Sequence, residues 1–312
     1  MSDDGANWER DVIAKLATDA LAEQKRARRW GIVFKVLTFS YLFILLFVGL
    51  GWLGQSDGIQ TGKHTALVEL NGLIAAGSQA NAEDVSAGLK AAFEADGAQA
   101  VILRINSPGG SPVQSAAIND EIRRLRELHP DIPLYAVVED VCASGGYYVA
   151  VAADEIYVAR ASIIGSIGVL MNGFGFTGTM DKLGVERRLL TAGKNKGFMD
   201  PFSPLEAEQE AYARSMLGEI HAQFIDAVRQ GRGDRLKETE QTFSGLMWTG
   251  EKSVELGLTD ALGSVAFVAR EVVKAEKIIN YSRRENLAER LVRRFGATFG
   301  DALLRGMQPG LQ

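Results

Sequence analysis

Val141-Cys142-Ala143-Ser144-Gly145-Gly146-Tyr147-Tyr148 is the stretch that decides how this chain folds. An apolar, strand-like run over 134–139 precedes it, and an apolar, helix-like run over 147–153 follows it. A serine at a strand-to-helix turn, followed by two glycines, predicts a sharp corner with the hydroxyl at its tip. The N–H groups at such a corner suit an oxyanion that forms during acyl transfer. A Gly-rich turn capped by serine explains the octapeptide alone equally well, so the rest of the chain must decide.

The composition narrows the catalytic options. The chain has 312 residues, 46% of them hydrophobic and 23% charged, and its net charge of −5 gives no reason to expect nucleic acid as a partner. The single Cys142 excludes an internal disulfide framework and a multi-cysteine metal site. His64, His129 and His221 are far apart and form no metal-binding pair, and no phosphate-binding loop is present. We therefore expect neither a metal nor another cofactor.

The N-terminal region predicts a membrane anchor. Residues 1–29 are polar and end in a basic cluster, and the run over 36–53 carries no charge. At about 1.5 Å per residue this run spans roughly 27 Å, close to the thickness of the bilayer core. A cleavable signal peptide is the main alternative, but the polar leader is long and no A-x-A site follows. We predict a single transmembrane helix over 30–54 and a linker over 55–63.

The basic cluster before the anchor sets the expected topology, because positive charge favours the cytoplasmic side. The N-terminus is then cytoplasmic, the anchor lies in the bacterial inner membrane, and the following domain lies outside, in the periplasm.

Beyond the linker, strand patterns alternate with helix patterns, which predicts parallel βαβ units and an α/β fold. Both Gly-rich corners, at Gly109 and Gly145, fall at the carboxyl ends of strands, where ligands bind in such sheets. A basic amphipathic tail helix is predicted within 281–312, on the membrane surface, on a neighbouring subunit or on its own domain. The other predicted segments are strands at 65–70, 100–105, 134–139, 155–158 and 187–191, and helices at 82–95, 112–128, 204–229 and 264–277.

A serine nucleophile needs a base, and the sequence places no histidine well for that role. His129 precedes a proline on a turn, His64 ends the linker, and His221 lies within a long helix. Burial can lower a lysine pKa from about 10.4 towards neutrality, so lysine is an alternative base. Lys194 and Lys196 lie in a Gly-flanked loop after an apolar run and are the candidates.

Four separated motifs resemble those of the bacterial signal peptide peptidase A family, in its short, single-unit form. They occur in the family's order and spacing over about 65–275, and they are Asn106–Ser111, Ala143–Tyr148, Gly165–Val169 and Gly193–Gly197 before Asp200-Pro201. The resemblance implies a ClpP/crotonase-like protease domain of repeated ββα/βαβ units over 64–280, and a Ser–Lys catalytic dyad.

The resemblance also implies roles for particular residues. Ser144 matches the nucleophile, Lys196 rather than Lys194 matches the general base, and Ser166 matches the serine that hydrogen-bonds the lysine amine. The backbone N–H groups of Gly110 and Gly145 match the oxyanion donors. Cys142 could act as a second nucleophile, although a small buried residue is the simpler interpretation.

The short form of the family implies a homo-oligomeric ring or bowl, expected to be an octamer, which cleaves apolar peptides such as signal peptide remnants. Two other functions stay open: a crotonase-type acyl-CoA enzyme, and a catalytically silent membrane scaffold. An apolar loop could line specificity pockets or simply pack in the core, and it contains Ile163, Ile164, Ile167, Leu170 and Met171.

Overall fold

The computed structural model describes residues 4–49 and 62–283. Two compact units result, and the folded unit with the sheet spans Thr61–Arg283. Most of the predicted linker over 55–63, and nearly all of the tail helix predicted within 281–312, lie outside the described residues.

The N-terminal unit contains one long helix, α1, which spans Asp4–Gly49. It begins far before the apolar run, because the polar leader is also rich in Ala, Glu, Lys and Arg, which favour helix. Its segment Val12–Phe47 is long and apolar enough to cross a membrane, and the segment's apolar side chains are largely exposed. The helix includes residues 30–49 of the transmembrane helix predicted over 30–54, and residues 50–54 lie outside the described residues.

The folded unit is organised on one eight-stranded sheet with the order β6-β5-β3-β2-β1-β8. Strand β3 pairs along its first half with β4 and along its second half with β5, and β7 extends the sheet beyond β4. All pairings are parallel except β5 with β6. The strands are β1 (His64–Asn71), β2 (Ala98–Ser107), β3 (Leu134–Ala143), β4 (Glu155–Val158), β5 (Ile163–Gly165), β6 (Met247–Thr249), β7 (Ala261–Leu262) and β8 (Ile278–Asn280).

Helices connect these strands and cover the sheet, which confirms the predicted α/β class with parallel βαβ units. The larger core lies between one face of the sheet and the helices that carry buried apolar side chains, among them Ile118, Tyr147 and Phe224. A smaller core on the other face includes Leu67 and Val268. The helices are α2 (Ala82–Phe93), α3 (Pro112–Leu128), α4 (Gly145–Ala150), α5 (Thr177–Leu183), α6 (Ala207–Arg232), α7 (Gly250–Glu255) and α8 (Val265–Phe267), the last continued by a π-helical turn, Val268–Val272.

One predicted strand is wrong. Residues 187–191 form no strand, and Leu190 is 96% exposed, because this segment has no neighbouring strand to pair with. The apolar residues that suggested a buried strand belong to a surface segment. We call residues 168–206 the arm, since nearly all of them are exposed or half-buried.

Candidate active site

Ser144 lies at the corner between β3 and α4, as the sequence predicts. Its backbone has φ 51° and ψ −123°, a conformation that a residue with a Cβ rarely adopts. Two hydrogen bonds hold it there: Ser144 N donates to Gly165 O at 2.8 Å, and Tyr148 N donates to Ser144 O at 3.0 Å. Ser144 is half-buried, and its hydroxyl hydrogen-bonds no other side chain in the described part of the chain. The side chain is thus free to react.

Gly109 and Gly110 pack directly against this corner. A Cβ added to Gly109 would lie 2.6 Å from Gly145 N and 2.8 Å from Ser144 Cβ. A Cβ added to Gly145 would lie 3.2 Å from Gly110 N, so the two N–H groups expected to bind an oxyanion are close neighbours. Among the residues that the structure describes, neither N–H donates to another group. Two unpaired donors beside a serine hydroxyl fit an oxyanion hole.

Gly110 owes its position to the loop after β1. Its neighbour Ile74 pairs with it, since Ile74 N donates to Gly109 O and Ser111 N donates to Ile74 O, at 2.9 and 2.8 Å. A Cβ on Gly110 would lie 2.0 Å from Ile74 O, and its φ is 152°. Only glycine fits this close approach of two backbones.

Ser166 lies beside Ser144. The register of β3 and β5 pairs Ala143 with Gly165, so the residues that follow these two are adjacent at the end of the sheet. Ser166 also has a positive φ, 52°, and its N–H donates to Leu246 O at 2.7 Å. The structure therefore brings together Ser144, Ser166, Gly110 and Gly145.

The structure does not bring Lys196 to this group. Lys196 is exposed on the arm, and its amine has no hydrogen-bond or ion-pair partner within the described residues. Its loop is held instead at the start of α6, where Lys194 forms an ion pair with Glu208 at 3.0 Å. Lys194 is thus engaged with a carboxylate, whereas Lys196 is free for another partner.

The arm has an apolar surface that no part of its own folded unit covers. Phe174 is 82% exposed and Leu190 is 96% exposed, and exposed apolar area on this scale marks an interaction surface. The large apolar residues of the arm with at least about a third of their surface exposed are Leu170, Met171, Phe174, Phe176, Leu183, Val185, Leu189, Leu190, Met199, Phe202 and Leu205.

The other candidate nucleophile and two of the candidate bases have structural roles. Cys142 is fully buried, and burial raises the pKa of its thiol, so the thiol stays protonated and unreactive. His64 is buried and its Nε2 lies 2.9 Å from the Tyr281 hydroxyl. The ring of His129 stacks on Phe93. His221 differs from these, because its Nε2 lies 3.2 Å from the carbonyl oxygen of Ile167.

Several residues that shape the site were not expected from the sequence. Ser115 on α3 lies under the Ser144 turn, since a Cβ on Gly145 would meet its Oγ at 2.4 Å. Trp248 on β6 packs over Gly165, where an added Cβ would meet its ring at 2.7 Å. No local pattern indicates these contacts, because β6 and β5 are far apart in sequence and pair only in the folded sheet.

The sequence of this chain is similar to one known protein family and to several known proteins. A family model described as peptidase family S49 matches residues 126–279. A protein of Synechocystis sp. that carries the name of a protease is 30% identical over 204 residues, which are 65% of this chain and 71% of that protein. A protein of Enterococcus faecium named for signal peptide peptidase SppA is 30% identical over 209 residues, 64% of this chain and 60% of that protein.

This chain belongs to peptidase family S49. Membership confirms the ClpP/crotonase-like fold class, and it favours peptide-bond hydrolysis over acyl-CoA chemistry. A Brucella melitensis protein named Na(+)/H(+) antiporter NhaA is 47% identical to this chain over 183 residues, which are 59% of the chain. The chain spans only 25% of that protein's length, so its named activity does not transfer.

Proposed function

We propose that this chain is a membrane-anchored serine endopeptidase in which Ser144 is the nucleophile and Lys196 the general base. The observation that carries the proposal is the pair of N–H groups of Gly110 and Gly145, which donate to no other group within residues 4–49 and 62–283 and pack against the strained Ser144 turn. A strained turn of this kind persists only where the surrounding structure fixes it, and such turns cluster at active sites.

In the proposed reaction the neutral Lys196 amine takes the proton of Ser144 Oγ as that oxygen attacks the peptide carbonyl carbon. The negative charge that develops on the carbonyl oxygen is stabilised by the N–H groups of Gly110 and Gly145. The C–N bond then breaks, and the leaving amine takes the proton from Lys196. Water, activated by the same amine, hydrolyses the ester on Ser144. Ser166 accepts a hydrogen bond from the Lys196 amine and orients it.

A second copy of the chain would supply the lysine. About 20 Å of α6 separates Glu208, which holds the lysine loop, from His221, which contacts the segment after Ser166. Within one copy Lys196 is exposed, and a lysine acts as a base only where burial favours its uncharged form. Packing the apolar arm on a neighbour would both cover the arm and desolvate Lys196. We propose a homo-oligomeric ring, expected to be an octamer, on this basis.

We further propose that α1 anchors the enzyme in the bacterial inner membrane, with the N-terminus in the cytoplasm and the protease domain in the periplasm. The helix segment Val12–Phe47, which is long and apolar enough to cross a membrane, supports the anchor. The basic residues over 25–29, which precede the uncharged run over 36–53, support its orientation.

The proposed substrates are apolar peptides, chiefly remnants of signal peptides. Ile164 and Ile167 are fully buried core residues, which removes them from the candidate specificity loop. Ile163, Leu170 and Met171 lie on the strand and arm next to Ser166, and at least about a third of the surface of each is exposed. An apolar peptide would bind to them there.

Digestion of a synthetic signal peptide by the full chain in detergent, with fragments identified by mass spectrometry, tests the proposal. We expect internal cleavage by the wild type, and no cleavage by Ser144→Ala or Lys196→Ala. Lys194→Ala is the matched control and should remain active, because its ion pair with Glu208 is exposed and contributes little to holding the loop. Full activity of Lys196→Ala would remove the dyad, and failure of a fluorophosphonate to label Ser144 would favour the silent scaffold.

A further inference from the structure

The middle of α6 contacts both segments that carry the serines of the site. One turn apart, His221 and Phe224 point to the same side of the helix. His221 Nε2 lies 3.2 Å from the carbonyl oxygen of Ile167, directly after Ser166. The Phe224 ring lies 5.0 Å from the ring of Tyr148, whose N–H bonds Ser144 O. The reaction described above uses neither α6 residue.

In the hydrogen bond between His221 and Ile167, the histidine is the donor. A carbonyl oxygen can only accept, so Nε2 carries a proton and donates to Ile167 O. His221 is half-buried, and its donor is therefore partly protected from competition with water. Because the acceptor is the main-chain carbonyl of Ile167, the bond restrains the backbone rather than a flexible side chain.

Ser166 is thereby held on both sides. Its own N–H donates to Leu246 O at 2.7 Å, and the next carbonyl accepts from His221. In the described part of the chain, no further backbone hydrogen bond fixes this segment until Phe176 N donates to Pro201 O. The His221 bond is thus the last fixed point between the end of β5 and the exposed arm. Ser166 needs such support, since its φ is 52°.

We propose that His221 is a positioning residue that fixes Ser166 through the carbonyl of Ile167, and so sets where the lysine amine can bind. This inference rests on the proposed function, because the position of Ser166 matters only if that serine orients the catalytic lysine. His221 itself touches neither the peptide nor the reacting atoms.

The test compares three full-length variants with the wild type in the signal peptide assay. His221→Leu removes the donor, His221→Gln keeps an amide N–H at about the reach of Nε2, and Gln223→Leu changes an exposed residue of the same helix. We expect kcat to fall roughly tenfold in His221→Leu with KM little changed, because misplacing a catalytic group slows the chemical step. His221→Gln should recover most of the loss, and Gln223→Leu should match the wild type.

Amide hydrogen exchange gives a readout that does not depend on cleavage. Exchange in the segment 166–167, where Ser166 N donates to Leu246 O, should be faster in His221→Leu than in the wild type and in Gln223→Leu. A wild-type kcat in His221→Leu, or unchanged exchange in that segment, would overturn the inference. So would an equal loss in His221→Leu and His221→Gln with matching falls in Tm, which would show packing alone. Absence of cleavage by the wild type would instead be a failure of the proposed function.

Discussion

At the residue scale, the site depends on a serine held in a backbone conformation that glycine would adopt more easily. Ser144 has φ 51°, and strain of this type costs about 1–3 kcal/mol, which the surrounding structure offsets. The hydrogen bonds to Gly165 O and from Tyr148 N hold the turn in place. The strain at Ser144 thus lowers the stability of the fold at the residue that we propose as the nucleophile.

This strain can be measured by substitution. Ser144→Gly should have a free energy of unfolding about 1 kcal/mol higher than that of Ser144→Ala, because only glycine is relaxed at this φ. Both variants should lack peptidase activity, because both lack the hydroxyl. Urea unfolding in detergent compares the two directly, and equal stabilities would show that the turn is not strained.

The residues of the site differ in how well the sequence predicts them. Ser144, Gly110 and Gly145 lie in short Gly-rich motifs at strand ends, so local pattern is enough to bring them to one edge of the sheet. His221 has no such pattern, because its partner Ile167 is 54 positions away and the contact forms only when α6 packs on the sheet. In the proposed assembly, the place of Lys196 depends on contacts with a second copy of the chain, which the sequence of one chain does not show.

At the element scale, the end of α6 is fixed to the sheet by a buried ion pair. Arg232 is 1% exposed and donates to both oxygens of Asp260, at 2.8 and 2.9 Å. The same carboxylate accepts from Ile156 N on β4 at 2.7 Å. Burial alone would raise the pKa of Asp260, but the hydrogen bond and charge of Arg232 outweigh it and hold the pKa below its usual value.

This pair predicts an acid dependence of stability. Because the folded pKa of Asp260 is lowered, its contribution is present above the unfolded pKa of about 3.9 and is lost as pH falls through the folded pKa. Asp260→Asn should cost about 3 kcal/mol near pH 7 and should weaken the dependence of unfolding on acid pH. Urea unfolding as a function of pH measures both effects.

The matched control is an ion pair on the surface. Glu251→Gln breaks the exposed pair with Arg160 and should leave the free energy of unfolding nearly unchanged. An equal loss in Asp260→Asn and Glu251→Gln would contradict the assignment of stability to the buried pair.

The elements themselves were predicted with unequal success. Strands β1 to β4 are confirmed, because each is rich in apolar residues that are buried against one or other face of the sheet, which is typical of parallel sheets. The strand at 187–191 is wrong because apolarity alone does not distinguish a buried strand from an uncovered surface segment. Short β5 and β6 were not predicted, since three residues carry too little periodicity and their pairing is long-range.

At the scale of the whole molecule, the proposed topology has a direct test. Cys142 is the chain's one cysteine and is fully buried, so the wild type should give little background with a maleimide reagent. Lys15→Cys and Lys63→Cys each introduce an exposed thiol, one before and one after the uncharged run over 36–53. A membrane-impermeant maleimide should label Lys63→Cys in intact spheroplasts, and Lys15→Cys only after permeabilisation. The reverse pattern would invert the proposed orientation.

The proposed active site is completed only when two copies of the chain associate. The folded unit brings together the proposed nucleophile, the proposed oxyanion donors and Ser166, but its lysine loop is attached near the start of α6 and its arm is apolar and uncovered. A site completed by a second copy explains all three observations at once.

A complementation experiment with two inactive variants tests whether Lys196 of one copy acts on Ser144 of its neighbour. Ser144→Ala and Lys196→Ala are co-expressed with different affinity tags, and oligomers that contain both are purified through both tags. We predict that each variant alone cleaves no signal peptide and that the mixed oligomers regain activity, because some sites combine an intact Ser144 with a neighbour's intact Lys196. Doubly purified oligomers that stay inactive would contradict it.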